Sequence, residues 1–181
     1  MKRKNRYSMV IGLAIAALTF AACSDTWDDH NNRAAEGVEE GSLWQAIQQN
    51  PELSNFSSVV EACGYDKSLA SAQAFTVFAP TNSCFSKEEA DKLIAAYHAE
   101  KGKVDDKDNS TIKEFLQNHI ALYNYSVSQS SNDTIMMMNG KNILLTSSKI
   151  GNSPLTSSNK LYSNGVLCTV SSQVDYFPNV F

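Results

Sequence analysis

From Phe75 to Phe85 the chain reads FTVFAPTNSCF, and no other stretch restricts its fold as closely. Phe75 to Ala79 alternates as a strand does. The run stops at Ala79-Pro80-Thr81-Asn82. Pro80 removes a ladder donor and biases Ala79 toward extended geometry. Thr81 and Asn82 carry side chains that hydrogen-bond nearby backbone and stabilise a turn. Phe85 then returns apolar volume to the core that Phe75 and Val77 begin. The stretch reads as a strand closed into a turn that carries the core across.

Helical signals surround it. Ser42 with Gln45 fits a capping box, and Leu43, Trp44 and Ile47 give the following turns an apolar face. Asn50-Pro51 marks a second start, an N-cap with proline at the first helical position. Leu53, Phe56, Val60 and Cys63 follow at helical spacing, and Gly64 suits a stop. Ser86 and Glu89 form another capping box, for a helix that ends near Gly102. After a charged loop, Ile112, Phe115, Leu116 and His119 fall at i, i+3, i+4, i+7, the face of a short amphipathic helix. From Ala121 on the pattern turns to strands. Asn139-Gly140 suits a type I′ turn between two apolar runs. Helices first and antiparallel strands last predict the α+β class.

The first residues stand apart. Lys2, Arg3, Lys4 and Arg6 precede an apolar run from Val10 to Phe20, shorter than the ~20 residues needed to span a bilayer. A basic stretch, a short apolar run and small residues make a secretory signal over residues 1–22. Two cleavage readings compete. A general signal peptidase would cut near Ala22. Alternatively, Phe20-Ala21-Ala22-Cys23 is a lipobox and Cys23 becomes the lipidated first residue. The place of Cys23 directly after two small residues favours the lipobox. Residues 23–41 are polar and acidic, with Asp25, Asp28 and Asp29, and read as a tether. This stretch resembles the acidic tails behind the lipid cysteine of diderm bacteria that display lipoproteins outward. The expected location is therefore the outer membrane, with the domain exposed at the cell surface.

The chain has 15 basic and 19 acidic residues. Without the four basic residues of the signal, 11 stand against 19, and such an acidic domain is a poor partner for nucleic acid. Besides Cys23 there remain Cys63, Cys84 and Cys168, an odd number that makes no complete disulfide framework. They read as small buried residues, with a Cys63–Cys84 bridge as the alternative. No C-x-x-C spacing points to zinc.

The stretch TVFAPTNSCF, Thr76 to Phe85, resembles the first conserved box of the fasciclin (FAS1) family. That box runs Thr-Val-Phe-Ala-Pro-Thr-Asn, two residues, then Phe. Two further regions are similar. FLQNHIALYNYS places Asn118-His119 where the family has a Tyr-His pair at a helix end. SNGVLCTVSSQVDYFP keeps Asn164, Gly165, Val166 and Pro178 of the third box, while Cys168 replaces its His and Ser171 its Asp. The resemblance covers residues 42–181. It implies a single FAS1 domain, a β-grasp-like wedge of antiparallel strands with several helices packed on it.

The motif positions are Thr76, Phe78, Pro80, Thr81, Asn82, Phe85, His119, Asn164 and Gly165, read as structural with a capacity for interaction. His119 lies on an apolar helix face, where a buried imidazole must hydrogen-bond or lose its charge. It is expected to clasp the backbone of a neighbouring loop. Tyr123, Tyr125 and Tyr162 are candidates for a glycan-stacking platform; alternation puts Tyr123 and Tyr125 on one face, either core or platform. Met136 and Met138 are expected to face one way and Met137 the other, as core and edge packing or as a soft binding patch. Asp133-Thr134-Ile135, at an expected loop end, resembles the O-glycan acceptor of some diderm anaerobes, with Thr134 as the acceptor. There is no phosphate loop, no His-Glu-x-x-His and no nucleophile elbow. Asp105, Asp106 and Asp108 lack the Gly and distal Glu of a calcium loop. Neither metal, cofactor nor catalysis is expected. The resemblance implies a surface-displayed module for adhesion to an extracellular protein or glycan. The alternative is an accessory glycan-binding lipoprotein of a polysaccharide-uptake system.

Overall fold

A computed structural model describes residues 37–128 and 132–177. The expected signal, Cys23, most of the expected tether and Pro178 lie outside the described residues. The first helix, α1 (Leu43–Gln49), starts at a reciprocal capping box. The Ser42 N–H donates to Gln45 Oε1 at 2.9 Å, and the Gln45 N–H to Ser42 Oγ at 3.3 Å. Asn50 accepts from the Glu52 N–H at 3.0 Å and opens a 3₁₀ turn, Pro51–Leu53, which runs on into α2 (Ser54–Ala62). Gly64, at φ +74°, ends that run, because left-handed geometry is costly for any residue with a Cβ. A short helix that the sequence pattern does not announce, α3 (Asp66–Ala70), follows.

The sheet runs β2-β1-β7-β6-β5-β4-β3. The strands are β1 (Phe75–Pro80), β2 (Ile120–Leu122), β3 (Asn132–Met136), β4 (Asn142–Thr146), β5 (Lys149–Ile150), β6 (Ser153–Tyr162) and β7 (Gly165–Val170). The α+β class holds. The wedge departs from all-antiparallel pairing in one strand pair, where β1 runs parallel to β7 with Phe75 opposite Gly165 and Pro80 opposite Val170. β1 also pairs antiparallel with β2 and is buried at all six residues, so its alternation separates two covered faces rather than core from solvent.

Those faces carry two cores. Phe75, Val77, Ala79 and Leu167 meet the helices, together with Leu43, Phe56 and Phe85. Phe78, Val166, Cys168 and Val170 point the other way, where Ile135, Met137, Leu145 and Ile150 of the later strands close over them. Register shifts between Leu155 and Lys160 bend β6, letting one strand serve both leaves. An Ala121–Met137 bridge, with the Met138 N–H on the Ile120 carbonyl at 2.8 Å, joins the two ends of the strand order.

The β3–β4 hairpin corrects the expected turn type. Asn139 does not take the positive φ that a type I′ turn requires; only Gly140 does, at +78°. The Gly140 N–H bonds the Met137 carbonyl and the Met137 N–H bonds the Lys141 carbonyl, closing a three-residue loop that ends in the glycine. The Asn139 side chain is engaged elsewhere: it donates to the Lys113 carbonyl and Asn118 Oδ1 and accepts from the Lys141 N–H.

α4 (Lys87–Glu100) begins at the second capping box, Ser86 with Glu89. After the charged loop, residues Thr111–Leu116 wind as a π-helix, wider than the expected α-helix, and tighten into α5 (Gln117–His119). Ile112, Phe115, Leu116 and His119 are all buried nevertheless. Phe115 stacks on Phe85 with ring centroids 5.0 Å apart.

From Val38 onward the chain packs as one unit. Val38 bridges Leu161 in parallel, and the Glu39 N–H bonds the Leu161 carbonyl at 2.7 Å. Ser163 donates its N–H and its hydroxyl to the Gly41 carbonyl at 3.1 and 2.8 Å. Contacts with the domain thus begin ahead of Ser42, where the sequence pattern puts its start.

Candidate functional site

The motif residues act first as fasteners. Asn82 uses its backbone N–H and both polar atoms of its side chain. Its N–H donates to the Glu52 carbonyl at 2.8 Å, and its Nδ2 donates to the Pro51 carbonyl at 2.9 Å and Ser54 Oγ at 3.0 Å. Its Oδ1 accepts from the Asn55 N–H at 3.2 Å. The turn after β1 is thereby tied to the start of α2, while the Thr81 N–H bonds Val170 at the end of β7. Thr76, fully buried, donates to the Tyr123 carbonyl at 2.9 Å and accepts from the Tyr125 N–H at 2.8 Å.

Asn164 and Gly165 fasten the opposite end. Asn164 Oδ1 accepts from the Leu43 N–H at 2.8 Å, and its Nδ2 donates to the Leu69 and Ser71 carbonyls at 2.8 and 2.6 Å. One side chain thus joins the β6–β7 turn to α1 and to the end of α3. A Cβ on Gly165 would overlap the Phe75 carbonyl oxygen and come within 2.5 Å of Leu43 Cδ1, so only glycine lets β7 approach β1 there.

His119 is buried between Phe115 and Val174. Its Nε2 accepts from the Val174 N–H at 3.0 Å, which leaves Nδ1 as the protonated nitrogen, donating to the Phe115 carbonyl at 2.9 Å. Burial pushes its pKa down to about 4, against a smaller upward effect of the Phe115 carbonyl. Beside it, Asn118 Nδ2 donates to the Val174 carbonyl at 2.9 Å.

The three tyrosines do not share a surface. β2 ends at Leu122, and Tyr123 turns to φ +71°, which breaks the alternation that would have aligned it with Tyr125. Tyr123 is 66% exposed, Tyr125 packs on the strand-side core, and Tyr162 packs on the helix-side core. The methionines also diverge from simple alternation. Met136 is exposed and Met137 buried, while Met138 has left the strand and packs on the helix-side core. Thr134 is exposed within β3, not at a loop end. Cys63, Cys84 and Cys168 are free thiols; Cys84 Sγ lies 3.2 Å from the Thr81 carbonyl and 3.4 Å from that of Val170. The Cys63–Cys84 bridge is therefore not made. Among the described residues no group of three or more His, Cys, Asp or Glu side chains could hold a metal, and no helix is long and apolar enough to cross a membrane.

What the sequence pattern did not reveal is a polar trough. Two adjoining depressions of about 570 and 630 Å³ share Glu52 and Thr169. The first is lined by Thr81, Ser83, Thr156 and Ser157, the second by Glu39, Gln49, Lys160 and Tyr162. Its walls come from the Val38–Gly41 segment, the helix layer, the turn after β1, and strands β6 and β7. Hydroxyl pairs floor the first part: Thr81 Oγ1 lies 2.8 Å from Ser83 Oγ, and Thr156 Oγ1 lies 2.7 Å from Thr169 Oγ1. In the second part, burial and then the nearby Glu39 carboxylate raise the pKa of the Tyr162 phenol. Only assembly of these distant segments creates the trough, so no local spacing could announce it.

A family model described as a fasciclin domain matches residues 51–174. No curated protein matches the chain. Among solved structures, a FAS1 domain pair from the insect cell adhesion molecule fasciclin I is similar at 15% identity and a TM-score of 0.49. That match covers 74% of this chain and 50% of the other, so this chain spans half the length of that structure. The family match takes in the Pro80-Thr81-Asn82 turn, the His119 clasp and the Asn164-Gly165 corner, and the chain belongs to the fasciclin domain family.

Proposed function

We propose that this fasciclin domain is a non-enzymatic binding module, lipidated at Cys23 and displayed outside the outer membrane, that adheres to an extracellular protein or glycan. The observation that carries this reading is the open, polar trough beside the Thr81–Asn82 turn, in a domain whose buried polar motif residues are already engaged in holding the fold. An open surface of this kind suits an extended ligand better than an enclosed reaction site does. Membership of a family associated with adhesion and binding points the same way.

The direction of the chain supports display. Val38 joins the domain beside Leu161, near the β6–β7 turn. The parallel register of β1 and β7 carries the Thr81 turn to the other end of the sheet, about 17 Å away at ~3.3 Å per residue. The Thr81 turn thus lies at the end of the sheet away from the point where Val38 enters the domain, a placement that leaves it accessible in a displayed domain. Uptake of polysaccharide is the second reading, favoured by Tyr162 in the trough wall.

Two measurements test this. Cys23→Ser should abolish incorporation of labelled fatty acid, and protease added to intact cells should remove the domain from the wild type. Beads coated densely with the full chain should bind saturably on an array of matrix proteins and glycans, because display multiplies weak contacts. Fatty-acid labelling unchanged in Cys23→Ser, or an array left bare by the multivalent beads, refutes the respective half of the proposal.

A further inference from the structure

The trough has chemistry that narrows its ligand. Protein–protein hot spots are built on large apolar or aromatic anchors held in desolvated pockets. Among the described residues the exposed large apolar ones are Val104, Tyr123, Met136, Leu144 and Phe177, and none of them lines the trough. Most of the side chains that line it carry hydroxyl, amide or carboxylate groups, with Pro51, Ala46 and Leu167 among them. The side chains of Gln49, Glu52 and Lys160 make no hydrogen bond or ion pair to other described residues, so their donors and acceptors are available to a guest. Tyr162 is half-buried: packed against the core from one side, it lends the wall a fixed ring that loses little freedom on binding. Free amide and carboxylate groups around one aromatic ring match the face of a sugar, apolar on its C–H side and ringed by hydroxyls.

Charge selects among sugars. Glu39, Glu40 and Glu52 face a single Lys160, so a uronate or a sulfated chain would meet net repulsion. The two depressions adjoin at Glu52 and Thr169 and each is open to solvent, a shape that suits a chain of several units better than a monosaccharide.

We propose that the trough is a subsite for a neutral polysaccharide, with Tyr162 as the stacking residue and Gln49 and Glu52 as hydroxyl partners. This rests on the binding-module reading and deepens it.

The test is affinity electrophoresis of the full chain in detergent, through gels cast with dextran, galactomannan or starch, and with heparin or polygalacturonate as the anionic set. At least one neutral gel should retard the chain, and neither anionic gel should. Gln49→Ala combined with Glu52→Ala changes exposed side chains only and should cut the retardation at least tenfold with the melting temperature unmoved. Tyr162→Ala should abolish it, and Tyr162→Phe, which keeps the ring, should retain most of it. No retardation in any neutral gel, stronger retardation by a polyanion, or retardation indifferent to these substitutions overturns the inference. The bead array separates this from failure of the parent reading: protein ligands bound equally by wild type and trough variants would leave the binding module standing and remove the glycan subsite.

Discussion

Replacing Asn164 with alanine should be among the most damaging single changes in the domain. Three hydrogen bonds vanish together. The Ser71 carbonyl belongs to an exposed residue and water can replace its partner, but Leu43 and Leu69 are buried. Their N–H and C=O are left without partners at about 1–3 kcal/mol each, or about 2–6 kcal/mol in all. With a urea m-value of ~2 kcal/mol per molar, the midpoint of equilibrium unfolding should fall by roughly 1–3 M. Asn164→Asp sharpens the test. It keeps an acceptor for the Leu43 N–H but turns a carboxylate oxygen toward two carbonyls. At neutral pH it should be no better than alanine. As the pH falls and the carboxyl gains a proton, one donor returns and part of the loss should be recovered. A midpoint change in Asn164→Ala equivalent to under ~1 kcal/mol would show that the corner is not held as described. So would an aspartate variant more stable than the alanine variant at pH 7.

Other outcomes follow from the same geometry. Gly165→Ala forces a methyl into the Phe75 carbonyl and Leu43, and at about 3 kcal/mol or more it should lower thermal stability sharply or prevent soluble expression. His119 is neutral in the fold with a pKa of about 4, against about 6.5 when unfolded, so the unfolded chain gains the proton first as pH falls. Its contribution is complete above pH 6.5 and is lost between 6.5 and 4, so urea unfolding at pH 7 and 4.5 should differ by about 2–3 kcal/mol, with a shallower dependence in His119→Gln. Burial pushes the Cys63 thiol up to about 12 and that of Cys168 up to about 11. Both should resist alkylation at pH 8 until denaturant is added, and mass spectrometry should then find all three thiols labelled.

Local chemistry was readable in the sequence wherever a few neighbouring residues decide the outcome. Ser42 with Gln45, Asn50 with Pro51 and Ser86 with Glu89 each set a helix start through bonds that span three residues or fewer. The Thr76–Phe85 box identified the family because its turn depends on Pro80 and Asn82 directly. What stayed hidden depends on distant partners. Nothing near Phe75 states that Gly165 will lie beside it in parallel register. Tyr123 leaves the strand where Thr76, far back in the chain, bonds its carbonyl and the Tyr125 N–H. Asn139 misses type I′ geometry because its side chain answers to Lys113 and Asn118. The trough is the extreme case: its two parts draw on the Val38–Gly41 segment, the turn after β1 and the β6–β7 pair, three segments far apart in the sequence.

The docking of Val38–Gly41 against the end of β6 also has a mechanical meaning. A domain held at Val38 and pulled at the Thr81 turn is loaded along the axes of β1, β6 and β7, from the Gly165 end toward the Pro80 end. Tension in that direction stresses the β1–β7 ladder in shear, so its hydrogen bonds share the load and must fail together. Pulled sideways at β3, the same sheet would open one bond at a time. The Gly41–Ser163 and Glu39–Leu161 bonds, at the point where the force enters, would part before the ladder does and release the Val38–Gly41 segment without unfolding the domain.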